Sequence, residues 1–87
     1  MLRAAILDNS AIARGLLRTI LVDGGHNVIS ESDVASANLL RLALLAPQLV
    51  FIASNTENAD ATSALKDLRT RLPKALIFAM SSALRLK

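Results

Sequence analysis

The amino-acid sequence predicts an α/β domain built on a parallel sheet. Two observations carry that expectation. Short continuous apolar runs alternate with segments whose apolar residues recur at helical spacing, the pattern of βαβ units. Strong stop signals, Asp23-Gly24-Gly25, Pro47 and Pro73, fall between them. With 87 residues the chain is one domain, residues 1–87, without repeats or linkers. It is 53% hydrophobic but only 2% aromatic, so its core must be aliphatic.

Ala4-Ala5-Ile6-Leu7 is an apolar run ending at Asp8, the form of a buried parallel strand. Asn9 and Ser10 supply N-cap chemistry for a first helix. Ile12, Leu16 and Ile20, with Leu17 and Leu21 beside them, make its apolar face, and Arg14 and Arg18 lie opposite. Gly24 and Gly25 end it. His26 to Ser30 reads as a shorter, more polar strand at a sheet edge, with His26 exposed. Ser32-Asp33 opens a second helix that runs to Ala46 and stops at Pro47. Leu49-Val50-Phe51-Ile52, the most apolar run, is a central strand, and residues 54–58 form a polar loop. In a third helix Ala61, Leu65, Leu68 and Leu72 share one face, with Asp67 and Arg71 paired at i, i+4. Ala75 to Met80 is a fourth strand, followed by a short tail from Ser81 to Lys87.

Composition excludes several functions. The absence of cysteine removes disulfide frameworks and thiolate metal sites, and a single His26 anchors no zinc. No apolar run approaches the roughly 20 residues of a membrane span, and an acid at position 8 interrupts any signal-peptide core, so a cytoplasmic protein without membrane insertion is expected. The net charge of +3 invites a nucleic-acid reading. However, the ten basic residues are scattered among acids and no aromatic platform accompanies them. Lys66, Arg69, Arg71 and Lys74 read as a solvated face. No cofactor is implied.

Three features in order resemble the receiver domain of bacterial two-component response regulators, the chemotaxis-regulator-like family with a flavodoxin-like fold. They are Asp8-Asn9-Ser10 after the first strand, Pro47-Gln48-Leu49-Val50-Phe51-Ile52-Ala53, and Arg69 to Pro73 leading to a strand that ends at Ser81. The resemblance covers the whole chain and implies a three-layer fold with a four-stranded parallel sheet in the order 2-1-3-4. Relative to the family the chain stops after its fourth strand, lacking the last strand and the last two helices.

The departures bear on chemistry. A working receiver holds Mg²⁺ with two acids after its first strand, phosphorylates an aspartate after its third, and uses a hydroxyl after its fourth and a lysine after its fifth. Here Asp8 matches the first acid, Asn9 replaces the second, Ala53 stands at the acceptor position and Ser81 matches the hydroxyl. Aspartyl phosphorylation needs a carboxylate nucleophile, and Ala53 has none. The resemblance therefore implies a degenerate, non-catalytic and phosphorylation-independent signalling module acting through protein contacts. The alternatives are a self-associating structural domain and a ligand-binding regulatory domain near Asp8 and Ser81.

The second helix is apolar nearly all round. Aligned to the receiver pattern, Leu42 and Leu45 face the sheet and Leu40 and Leu44 point outward. With Ala75 and Ile77 on an unpaired fourth strand they form the expected interaction surface. A homodimer or an obligate complex with a protein partner follows.

Overall fold

The computed structural model describes residues 1–34, 36–54 and 59–81. Its elements run β1 (Arg3–Leu7), α1 (Ala11–Asp23), β2 (Asn27–Ser32), α2 (Ser36–Leu45), β3 (Leu49–Ser54), α3 (Ala59–Arg71) and β4 (Leu76–Ser81). The four strands form one all-parallel sheet in the order β2-β1-β3-β4. This is the flavodoxin-like strand order the sequence predicts, with β1 and β3 central and β2 and β4 at the edges.

The central strands are buried on both faces, which is why they read as unbroken apolar runs. Ala4, Ala5, Ile6 and Leu7 are each 0% exposed. Their side chains alternate between two cores. On one face Ala5, Leu7, Val50 and Ile52 pack against Leu39 and Leu42 of α2, Leu68 of α3 and Leu72 just past its end. On the other, Ala4, Ile6 and Leu49 pack against Leu21, with Leu17 and Phe51 partly buried beside them. Among the described residues, α2 and α3 thus cover one face and α1 covers the other.

Local chemistry sets the element ends. The Ser10 hydroxyl accepts from the Ala13 amide at 3.2 Å and caps α1. Gly24 closes the helix by donating to the Ile20 carbonyl, and Gly25 takes φ +86°, where a side chain would be strained. Ala46, just past α2, holds φ +50°. The Arg3 guanidinium donates to the carbonyls of Leu45 (2.7 Å) and Ala46, satisfying the C-terminal acceptors there. Asp67 and Arg71 pair at 2.9 Å as their spacing predicts.

Several expectations require correction. In α1 the buried side chain is Leu21, whereas Ile12, Leu16 and Ile20 are exposed. In α2 it is Leu39 that accompanies Leu42 in the core. Leu45 is exposed, because the helix ends there and turns into the left-handed Ala46. The α2 start moves from Ser32 to Ser36, since Ser32 pairs with Leu7 and extends β2. His26 precedes β2 and is half-buried, its Nδ1 accepting from the Leu2 amide at 3.2 Å. Leu65 and Leu68 of α3, and Leu72 just past its end, do face the core. The Ala61 side chain, residues 55–58 of the polar loop and residues 82–87 of the tail lie outside what is described.

Leu42→Ala is expected to lower unfolding free energy by about 2–5 kcal/mol, because it leaves a cavity between α2 and the sheet. Leu44→Ala, 88% exposed, should change it by less than about 0.5 kcal/mol. Urea titration of the two variants checks the helix phase.

Candidate functional site

Ligands of open parallel sheets bind at the carboxyl ends of the strands, and the residues singled out in the sequence meet there. Leu7 pairs with Ile52, which puts Asp8 and Ala53, one residue further along each strand, side by side. Ala53 in turn pairs with Met80, and Ser54 with Ser81 at the ends of β3 and β4. The backbone therefore brings Asp8, Asn9, Ala53 and Ser81 to one edge. The Ser81 side chain lies outside what is described.

The hydrogen bonds show what the polar side chains do at this edge. One carboxylate oxygen of Asp8 accepts from the Ser10 amide at 2.8 Å, an Asx turn that steers the chain into α1. The Asp8 amide donates to the Ser32 carbonyl at 2.9 Å, and the Asp8 carbonyl accepts from the Arg14 guanidinium. The Asn9 side-chain oxygen accepts from the Val34 amide at 2.9 Å, tying the β1–α1 turn to the chain after β2. Asp8 and Asn9 thus brace two connections, and Ala53 contributes a half-buried methyl group beside them. Among the described residues there is no cluster of three or more His, Cys, Asp or Glu side chains able to hold a metal ion.

Of the expected interaction residues, Leu40 and Leu44 are exposed on α2 as the sequence reading proposed. Ala75 is buried in the α2/α3 core just before β4, so its side chain is closed to a partner. Ile77 is partly buried against the same core. It lines an open groove of about 560 Å³ whose rim carries Lys66, Arg69 and Thr70.

A larger apolar surface lies on the opposite layer, and the sequence reading missed it by assigning the α1 leucine and isoleucines to the core. Ile12, Leu16 and Ile20 are 79%, 64% and 65% exposed. On β4, Leu76 and Phe78 are 57% and 50% exposed. Phe78 pairs with Phe51, and their rings stack with centroids 5.3 Å apart. The sequence offers a second i, i+4, i+8 set, Ala13-Leu17-Leu21, of the same spacing, so periodicity alone leaves the choice open.

No protein-family model matches the chain, and no curated protein matches it either. Among the described residues no helix is long and apolar enough to cross a membrane.

Ser10→Ala should cost about 1 kcal/mol, the usual value of an N-cap hydroxyl. Thermal unfolding followed by circular dichroism checks this. Asp8→Ala should also destabilise, because it removes the acceptor of the Ser10 amide.

Proposed function

We propose that the chain is a non-catalytic interaction module, a degenerate receiver-like domain that works in a bacterial two-component or chemosensory type of pathway without being phosphorylated. The observation that carries this reading is the exposed apolar surface of α1 and β4 combined with a polar edge whose side chains brace the backbone. Exposed apolar area contiguous over several side chains is unusual for a monomer and marks contact with another macromolecule. Leu40 and Leu44 add outward apolar area on the other layer.

The strand order and the placement of Asp8, Ala53 and Ser81 at one edge support the receiver part of the reading. Ala53 supports the phosphorylation-independent part, because a methyl group cannot attack a phosphoryl donor. Asn9 supports it as well: a neutral amide offers Mg²⁺ less than a carboxylate does.

Incubation with acetyl phosphate and Mg²⁺ tests the reading. Intact mass should remain unchanged, and the amide NMR spectrum around Asp8 and Ala53 should not shift. Ala53→Asp alone should remain unmodified, since Asn9 still weakens the metal site. A stoichiometric phosphoryl adduct on the unmodified chain would overturn the proposal.

A further inference from the structure

The rotation of α1 shows in the side chains it buries, Leu21 with Leu17 beside it, and in where its two arginines reach. The Arg18 Nε pairs with Glu31 Oε2 of β2 at 3.1 Å, and the Arg14 guanidinium holds the Asp8 carbonyl. With about 100° between successive residues, Leu17 then points at the sheet and the arginine flank turns toward β2. Ile12, Leu16 and Ile20 occupy the other flank, and the order β2-β1-β3-β4 turns that flank toward β3 and β4. Leu76 and Phe78 lie on the same sheet face as α1, because their register partners Leu49 and Phe51 belong to the α1 core. The two apolar sets therefore form the wall and the floor of one trough.

The helix that forms the wall is almost free of uncommitted charge. Its charged residues are Arg14 and Arg18, both engaged within the chain, and Asp23 at its end. Thr19, on its outer side, already donates its hydroxyl to the Gly15 carbonyl at 3.0 Å. Such a helix can be covered without stranding a charge or a hydroxyl.

We propose that the trough is filled by α1 of a second copy of this chain, in a two-fold symmetric homodimer. This rests on the interaction-module reading above and names its partner. With a two-fold axis parallel to the strands, each α1 is sandwiched between its own β1–β2 and its mate's β3–β4. The two α1 flanks then meet at Leu16. The arrangement is isologous, so one contact satisfies both copies and closes without leading to a fibre.

Dimensions agree with this occupant. Thirteen residues of α1 span about 20 Å, and six residues of β4 about the same. The five exposed side chains together equal about three fully exposed large side chains; with the roughly 150–250 Å² of an aromatic as the upper bound for each, they offer at most about 470–790 Å² of apolar area per chain. At the roughly 65% apolar share of homodimer interfaces, the lower end of that range corresponds to about 700 Å² per partner. Stable interfaces bury roughly 600–1,000 Å² on each side.

Light scattering coupled to size exclusion at 100 µM tests the proposal. The expected mass is twice the 9.3 kDa of the chain. Leu16→Glu should raise the dissociation constant at least 100-fold with an unchanged circular dichroism spectrum, and Phe78→Glu should do the same if it folds. Leu16 is exposed, so its variant decides the matter even if Phe78→Glu unfolds. Leu44→Glu, on the opposite layer, should leave the dimer intact. Because the chain has no cysteine, Leu16→Cys should yield a disulfide-linked dimer on mild oxidation, and Leu44→Cys should not. A monomer at 100 µM, or a dimer dissolved by Leu44→Glu and not by Leu16→Glu, would overturn the proposal. A monomer that also resists acetyl phosphate would leave the interaction-module reading standing without this partner.

Discussion

A parallel sheet must be covered on both faces, and that requirement organises this molecule. The β1 strand has almost no wet side, every residue from Ala4 to Leu7 being fully buried, and Val50 and Ile52 of β3 are fully buried as well. On one face α2 and α3 answer the requirement together through Leu39, Leu42 and Leu68, with Leu72 just past α3 beside them. On the other, among the described residues, α1 answers it, and one helix about 10 Å wide spans roughly two strands at about 4.8 Å spacing. It covers β1 and β2, leaving Leu76 and Phe78 of β4 about half exposed and Phe51 of β3 partly so. The unequal cover gives the domain a built face and an open one.

Polar groups at the carboxyl edge serve the same architecture. Asp8 and Asn9 stand at the carboxyl edge of the sheet, and their side-chain oxygens hold the amides of Ser10 and Val34. Those bonds fix where α1 begins and where the chain leaves β2. Arg14 and Arg18 lie on the flank of α1 turned toward β2, and the opposite flank, Ile12, Leu16 and Ile20, looks over the open face.

Much of this was legible in the residues, and the failures have physical causes. β1 and β3 were clear because double burial removes any alternation, and α3 because Leu65, Leu68 and Leu72 form one stripe against a charged face. The strand order and the meeting of Asp8, Ala53 and Ser81 followed from the receiver resemblance. The phase of α1 was not legible. Ile12-Leu16-Ile20 and Ala13-Leu17-Leu21 share the same spacing, and the bulkier set drew the core assignment. The tie is broken by packing against strands distant in sequence, where Leu21 is buried with Ala4, Ile6 and Leu49, which periodicity cannot see. The start of α2 failed for a related reason: Ser32-Asp33 has cap chemistry, but pairing of Ser32 with Leu7 keeps it in β2. Leu45 was misplaced because the helix ends beside it, with Ala46 turned left-handed and Arg3 closing the carbonyls.

The central claim is that α1 and the β3–β4 face meet between copies. Isotope-filtered NOE spectroscopy on an equal mixture of labelled and unlabelled chains tests it most directly. The account requires contacts from the Ile12, Leu16 and Ile20 methyl groups of one chain to the Phe78 ring of another. Filtered spectra empty of such contacts, with chemical shifts independent of concentration, would contradict it.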